Sequence, residues 1–121
     1  MKTFVKSKLH RVKVTGAELN YIGSITIGRN LIKAAGLDPY ELVHVNNISN
    51  AAHWETYVIP GEDGEICLNG APARLFYPGD QVVIFSIAHL KKGEKITHRS
   101  IFVNGKNEVK NIVKHKIHCT A

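Results

Sequence analysis

The 121-residue sequence predicts a mostly β protein, a small barrel with short helices. Three observations carry this. Short runs such as Arg11-Val12-Lys13-Val14 alternate polar with apolar residues, the period of a half-buried strand. Gly, Pro and Asn punctuate the chain between such runs. Gln81 to Ala88 is nearly continuous in apolar residues, the pattern of a strand buried on both faces.

In chain order, Phe4 to Val14 reads as a first strand. Thr15-Gly16-Ala17-Glu18 has the spacing of a capping box and predicts a single helical turn. Ser24 to Ile27 extends again. Arg29 to Ala35 reads as a short helix with Leu31, Ile32 and Ala35 on one side, stopped by Gly36. Leu37-Asp38-Pro39-Tyr40 turns into a strand from Glu41 to Asn46. A turn over 47–52 leads to another strand from His53 to Ile59. Pro60-Gly61-Glu62-Asp63-Gly64 is a loop, Glu65 to Leu68 a strand and Asn69-Gly70-Ala71-Pro72 a turn. Pro78-Gly79-Asp80 launches the apolar run. Residues 89–99 are polar and read as a loop. Ser100 to Val103 and the residues after Asn104-Gly105 form a last hairpin, and the basic tail beyond Lys110 is expected to be loosely ordered.

The length bounds the chain to one domain with a modest core. No apolar run approaches the roughly 20 residues of a membrane span. Met1-Lys2-Thr3-Phe4-Val5-Lys6 lacks an apolar signal region, so a cytoplasmic location is expected. Cys67 and Cys119 form no disulfide framework and read as reduced thiols. The net charge of +6 is concentrated at the ends. Lys2, Lys6, Lys8, Arg11 and Lys13 meet no acid within residues 1–13, and four lysines after residue 105 meet only Glu108. Aromatic residues that stack single strands are not interleaved with these cations, so they read as solvated edges, and no nucleic-acid partner is expected. His115, His118 and Cys119 cluster in the tail without a zinc spacing, and no metal is expected. Phosphate-loop and dinucleotide fingerprints are missing.

The chemistry centres on Gly23-Ser24, set between apolar flanks in Asn20-Tyr21-Ile22-Gly23-Ser24-Ile25-Thr26. The Ser24 hydroxyl is placed to attack the Gly23 carbonyl and move the acyl group from nitrogen to oxygen. Elimination from that ester leaves dehydroalanine, which water converts to a pyruvoyl group. Gly23 has no Cβ to block the approach. Alternation puts Lys8 and His10 on one face of the first strand. It puts His53, Glu55 and Tyr57 on one face of the fourth, with Trp54, Thr56 and Val58 on the other. Thr56 and Tyr57 therefore share a face only if the strand bulges or two subunits contribute.

Taken together, Lys8-Leu9-His10-Arg11, Tyr21-Ile22-Gly23-Ser24, Thr56-Tyr57 and Asn69-Gly70-Ala71 resemble the pyruvoyl-dependent aspartate 1-decarboxylases in order and spacing. The resemblance implies a double-psi β-barrel and a homotetramer with active sites shared between subunits. It implies self-cleavage into chains 1–23 and 24–121, the second beginning with a pyruvoyl group derived from Ser24. Such a group takes the substrate amine as a Schiff base and acts as an electron sink. By the same resemblance Thr56 stabilises the oxyanion of self-cleavage and Tyr57 protonates the carbanion. Lys8 holds a substrate carboxylate with His10 beside it, and Asn69, Gly70 and Ala71 line the pocket. A maturation factor is a further possible partner.

One segment departs from the family. Where the family carries Asn-Gly followed by Arg-Phe, this chain reads Asn50-Ala51-Ala52-His53-Trp54. The arginine implied to hold a carboxylate is replaced by His53, which offers one good donor per contact and is largely neutral near pH 7. That loss is on the order of 2–4 kcal/mol of recognition unless another group, such as Arg74, replaces it. The expected function is decarboxylation of L-aspartate to β-alanine for pantothenate synthesis. The alternatives are the same chemistry on another amino acid, or an uncleaved barrel acting as a binding or regulatory module.

Overall fold

The computed structural model describes every residue from 1 to 121. Nine strands are interrupted by one α-helix and one 3₁₀ turn. They are β1 (Lys2–Lys13), β2 (Gly16–Glu18), β3 (Ser24–Gly28), β4 (Leu42–Asn47), β5 (His53–Gly61), β6 (Ile66–Asn69), β7 (Gln81–Leu90), β8 (Lys95–Val103) and β9 (Val109–His118). The helix α1 spans Arg29–Ala35, and the 3₁₀ turn spans Ala71–Arg74. All nine strands join one sheet in the order β2-β6-β3-β5-β4-β7-β1-β8-β9. Its pairings are mixed: β1 with β8, β2 with β6 and β3 with β5 run parallel, and the rest antiparallel.

A single core of 17 buried residues draws on β1, β3 to β8 and α1, so strands far apart in the order meet over the same interior. The sheet is therefore curled around its core, a barrel-like all-β architecture, as expected from the sequence. Leu9, Ile25, Ile27, Ile66, Leu68, Ile84 and Ile101 are almost wholly buried within it. Burial of each such side chain contributes roughly 1.5–3 kcal/mol. The helix follows its sequence pattern: Leu31 and Ala35 are buried, and Gly36 closes it in the left-handed conformation at φ 69°.

The structure corrects three local expectations. Thr15-Gly16-Ala17-Glu18 is not a helical turn. The Thr15 hydroxyl donates to the Ile66 carbonyl (3.1 Å) and accepts from the Ile66 amide (2.9 Å), so it is spent across strands rather than on a cap. Residues 16–18 then pair with β6. The supposed loop over 89–99 shrinks to a turn at 91–94 between β7 and β8. The basic tail is not loose: β9 pairs with β8 along its whole length, from Lys95–His118 to Val103–Val109. Their hairpin loop covers 104–108. Asn107, at φ 57°, anchors it by donating to the Lys13 and Gly64 carbonyls (2.8 Å each). No helix is long and apolar enough to cross a membrane.

Candidate active site

Ser24 opens β3 at the point where the chain passes from solvent into the sheet. Tyr21 and Ile22 are strongly exposed, whereas Ser24 is buried. The Ser24 hydroxyl donates to the Ile22 carbonyl (3.2 Å) and accepts from the Asn69 amide (3.0 Å). Antiparallel pairing sets Ser24 directly opposite Asn69. The same amide group donates to Thr26 Oγ1 (3.0 Å), and Asn69 Oδ1 receives the Cys67 thiol (3.4 Å). Burial, followed by Glu65 and Glu18, pushes the Cys67 thiol up, so it stays a neutral donor. Three partners thus hold the Asn69 amide with its NH₂ toward the serine.

Gly70 closes the site from behind. It sits at φ 83°, and a Cβ there would lie 2.9 Å from Gly23 Cα and 3.1 Å from Gly23 N. Only glycine allows this approach of backbone to backbone. At Gly23 itself a Cβ would meet nothing within 4 Å. A packing constraint from distant segments therefore acts at Gly70 and not at Gly23.

Parallel register pairs Ile25 with Val58, which brings Tyr57 alongside Ser24 on the outer face of the sheet. The Tyr57 ring stacks on Tyr40 (centroids 5.5 Å, 12° between planes), and its hydroxyl has no partner within the chain. The β4–β5 register has no bulge, so Thr56 points the other way, buried opposite Val43. Its hydroxyl makes no hydrogen bond to Gly23 or Ser24.

The arrangement is a serine hydroxyl held between the Ile22 carbonyl and the Asn69 amide, one residue after a glycine at the end of an exposed loop. The sequence of the chain is similar to those of known proteins. A family model described as "Aspartate decarboxylase" matches residues 1–110. The aspartate 1-decarboxylase of Clostridium beijerinckii is 48% identical over 118 residues, covering 94% of this chain and 95% of that protein. That of Bacillus pumilus is 47% identical over 116 residues, covering 93% and 91%. That of Clostridium acetobutylicum is 48% identical over 120 residues, covering 96% and 94%. The chain belongs to the aspartate decarboxylase family.

Of the residues the family resemblance singled out, one chain brings together Gly23, Ser24, Tyr57, Asn69, Gly70 and, at the start of the 3₁₀ turn, Ala71. Lys8, His10 and His53 stand apart. Lys8 and His10 share a face of β1, as alternation predicted, but β1 lies four strands from β3 in the sheet order. At about 4.8 Å per strand that is on the order of 19 Å along the curved surface. The His10 ring packs on Phe102 (5.2 Å), and its Nδ1 is buried without a partner. Burial, with Lys8 and Arg11 adding to it, holds the His10 pKa below its ordinary value. His53 opens β5 on the outer face opposite Asn46. Arg74 is exposed at the end of the 3₁₀ turn, without a salt bridge or hydrogen bond.

Sequence reasoning missed Thr26, Cys67, Tyr40 and His44. The first two had a legible signal: residues two apart on a strand share a face, so Ser24-x-Thr26 and Cys67-x-Asn69 predict a polar quartet once β3 and β6 are paired. Tyr40, exposed at φ 67°, carries no such signal.

Proposed function

We propose that this chain is an aspartate 1-decarboxylase that converts L-aspartate to β-alanine and carbon dioxide for pantothenate synthesis. Its pyruvoyl group would be made from its own Ser24. The observation that carries the reading is the Ser24 hydroxyl, clamped by Asn69 beside a Gly23 backbone against which only a glycine at 70 fits.

Maturation needs only this chain's atoms and water. Ser24 Oγ adds to the Gly23 carbonyl carbon, the C–N bond breaks, and the freed amine takes the hydroxyl proton, leaving an ester. Loss of the Ser24 Cα proton expels the Gly23 carboxylate from Cβ and leaves dehydroalanine. Its imine tautomer is hydrolysed with release of ammonia. Chains 1–23 and 24–121 result. Thr56, one strand away with an unpaired hydroxyl, is the donor assigned to the oxyanion, where such a donor is worth about 2.7–4 kcal/mol. The exposure of Tyr21 and Ile22 supports separation of the two new ends.

The residues present fit a pyruvoyl group at 24: the Asn69 amide donates to that position and the Gly70-Ala71 backbone bounds it. When formed, the group supplies a ketone that takes the substrate amine and draws off the electrons left by carbon dioxide. Tyr57, beside Ser24 and held flat by Tyr40, is assigned to return a proton to the substrate carbon. Lys8 is assigned to a substrate carboxylate, with His10 and His53 beside it.

Lys8 lies four strands from Ser24 in the sheet order, which supports reading the active site as shared between subunits of a homotetramer with the double-psi barrel form. Exposed Tyr21, Ile22, Tyr40 and Leu42 near Ser24 and Tyr57 supply apolar surface for that contact. The assembly is assigned to the cytoplasm.

Intact mass spectrometry of the purified protein tests the reading. The expected result is two chains broken between 23 and 24, the longer starting with pyruvoyl, together with aspartate-dependent β-alanine formation. A Ser24→Ala chain should stay whole and inactive. If the unaltered chain stays whole, adding candidate maturation factors decides whether it needs help; persistent intactness with them overturns the proposal.

A further inference from the structure

We propose that His44, His53 and Glu55 form a binding site for a divalent transition metal, zinc in the first instance, on the outer face of β4 and β5. The strand register builds it. His44 lies opposite Glu55 and Asn46 opposite His53, so alternation puts all four side chains on one face of the hairpin. The three ligand atoms, one from each of the two imidazoles and the carboxylate, lie within 4.8 Å of one another.

Each imidazole is held before any ion arrives. The His44 ring lies flat on Phe85, with centroids 4.8 Å apart and 7° between planes. His53 Nδ1 is 2.6 Å from Asn46 Oδ1. An amide oxygen only accepts, so Nδ1 carries the proton and the lone pair is at Nε2. Nε2 is the atom on the Glu55 side. A hydrogen bond of this kind to the far nitrogen is what orients metal-bound histidines.

The three groups do not satisfy one another. His44 Nδ1 is 3.6 Å from Glu55 Oε1, and His53 Nε2 is 4.0 Å from Glu55 Oε2. Both separations exceed a hydrogen bond. They leave a gap that a small rotation of the carboxylate closes around an ion with bonds of about 2.0–2.2 Å. Two imidazoles and one carboxylate suit zinc and leave a coordination position open to solvent. The tail histidines offer no comparable set: Cys119 is buried with its thiol on the Leu90 carbonyl, and the His98 and His115 rings are 6.4 Å apart.

The test is titration calorimetry of Zn²⁺ alone into metal-stripped full-length protein at pH 7.5, with metal content by mass spectrometry. One zinc per chain is expected. His44→Ala, His53→Gln and Glu55→Gln should each weaken binding at least tenfold, with circular dichroism confirming the fold. Asn46→Ala, which frees the His53 tautomer, should weaken it about tenfold. His115→Ala and His118→Ala should leave it unchanged. Substoichiometric zinc, or variants at 44, 53 and 55 that bind as tightly as the parent, would overturn the site. The readout is independent of chain cleavage and of decarboxylation, so its failure leaves the proposed activity standing.

Discussion

The two halves of the candidate machinery are built to different standards of rigidity. Around Ser24, the hydroxyls of Ser24 and Thr26, the Asn69 amide and the Cys67 thiol form one hydrogen-bonded network, and the Gly70 backbone presses on Gly23. On the face that carries Lys8, His44, His53 and Glu55, side chains are exposed or half-exposed, and most contacts are longer than hydrogen bonds. The difference teaches where each half gets its order. The network around Ser24, where cleavage is proposed, is built within one chain. The face proposed to grip the substrate lacks such a network of its own and is open to a partner, a substrate or an ion.

The sharpest way to break this comparison is at Gly70. Gly70→Ala places a Cβ against the Gly23 backbone at a positive φ, a strain on the order of 1–3 kcal/mol applied where cleavage is proposed. Loss of most chain cleavage is expected, read by denaturing gel, while Gly23→Ala, with open space around its Cβ, should impair it far less. Equal loss in both would mean that the close approach at 70 has no special part.

Next is complementation. Lys8→Ala and Ser24→Ala homo-oligomers should each be nearly inactive. Mixed oligomers, refolded or coexpressed, should regain a measurable share of activity because some sites combine an intact Lys8 with an intact Ser24. No recovery would place both residues in a single-chain site, against the four-strand separation.

His53→Arg tests the gripping face alone. A guanidinium restores a fixed, forked charge, so KM for aspartate should fall severalfold with kcat little changed, while zinc binding is lost. An unchanged KM would remove residue 53 from substrate recognition.

The smallest expected effect concerns His10. Its pKa is held below the ordinary 6.5 by burial, then by Lys8 and Arg11. The unfolded chain therefore takes up the proton more readily than the folded one. Stability is full above about pH 6.5 and is lost as pH falls from there toward the lowered folded value. His10→Gln should flatten that part of the stability–pH curve in urea titrations; an unaltered curve would show that the ring does not titrate between the two states.

By itself the sequence determined whatever depends on neighbours along the chain. Helix Arg29–Ala35 with its Gly36 stop, the two faces of β5 and the Gly23-Ser24 pair were all legible, because periodicity, capping and peptide-bond chemistry act within a few residues. Tertiary structure decided whatever depends on which strand lies beside which. Thr15 became a cross-strand ligand of Ile66 because pairing with β6 offered its hydroxyl both a donor and an acceptor. The polar stretches of β8 and β9 became strands because each supplies the other's backbone partners, which no apolar pattern announces. Likewise, His44 met Glu55 and Asn69 met Ser24 only through register, a relation between distant segments that no local stretch of residues encodes.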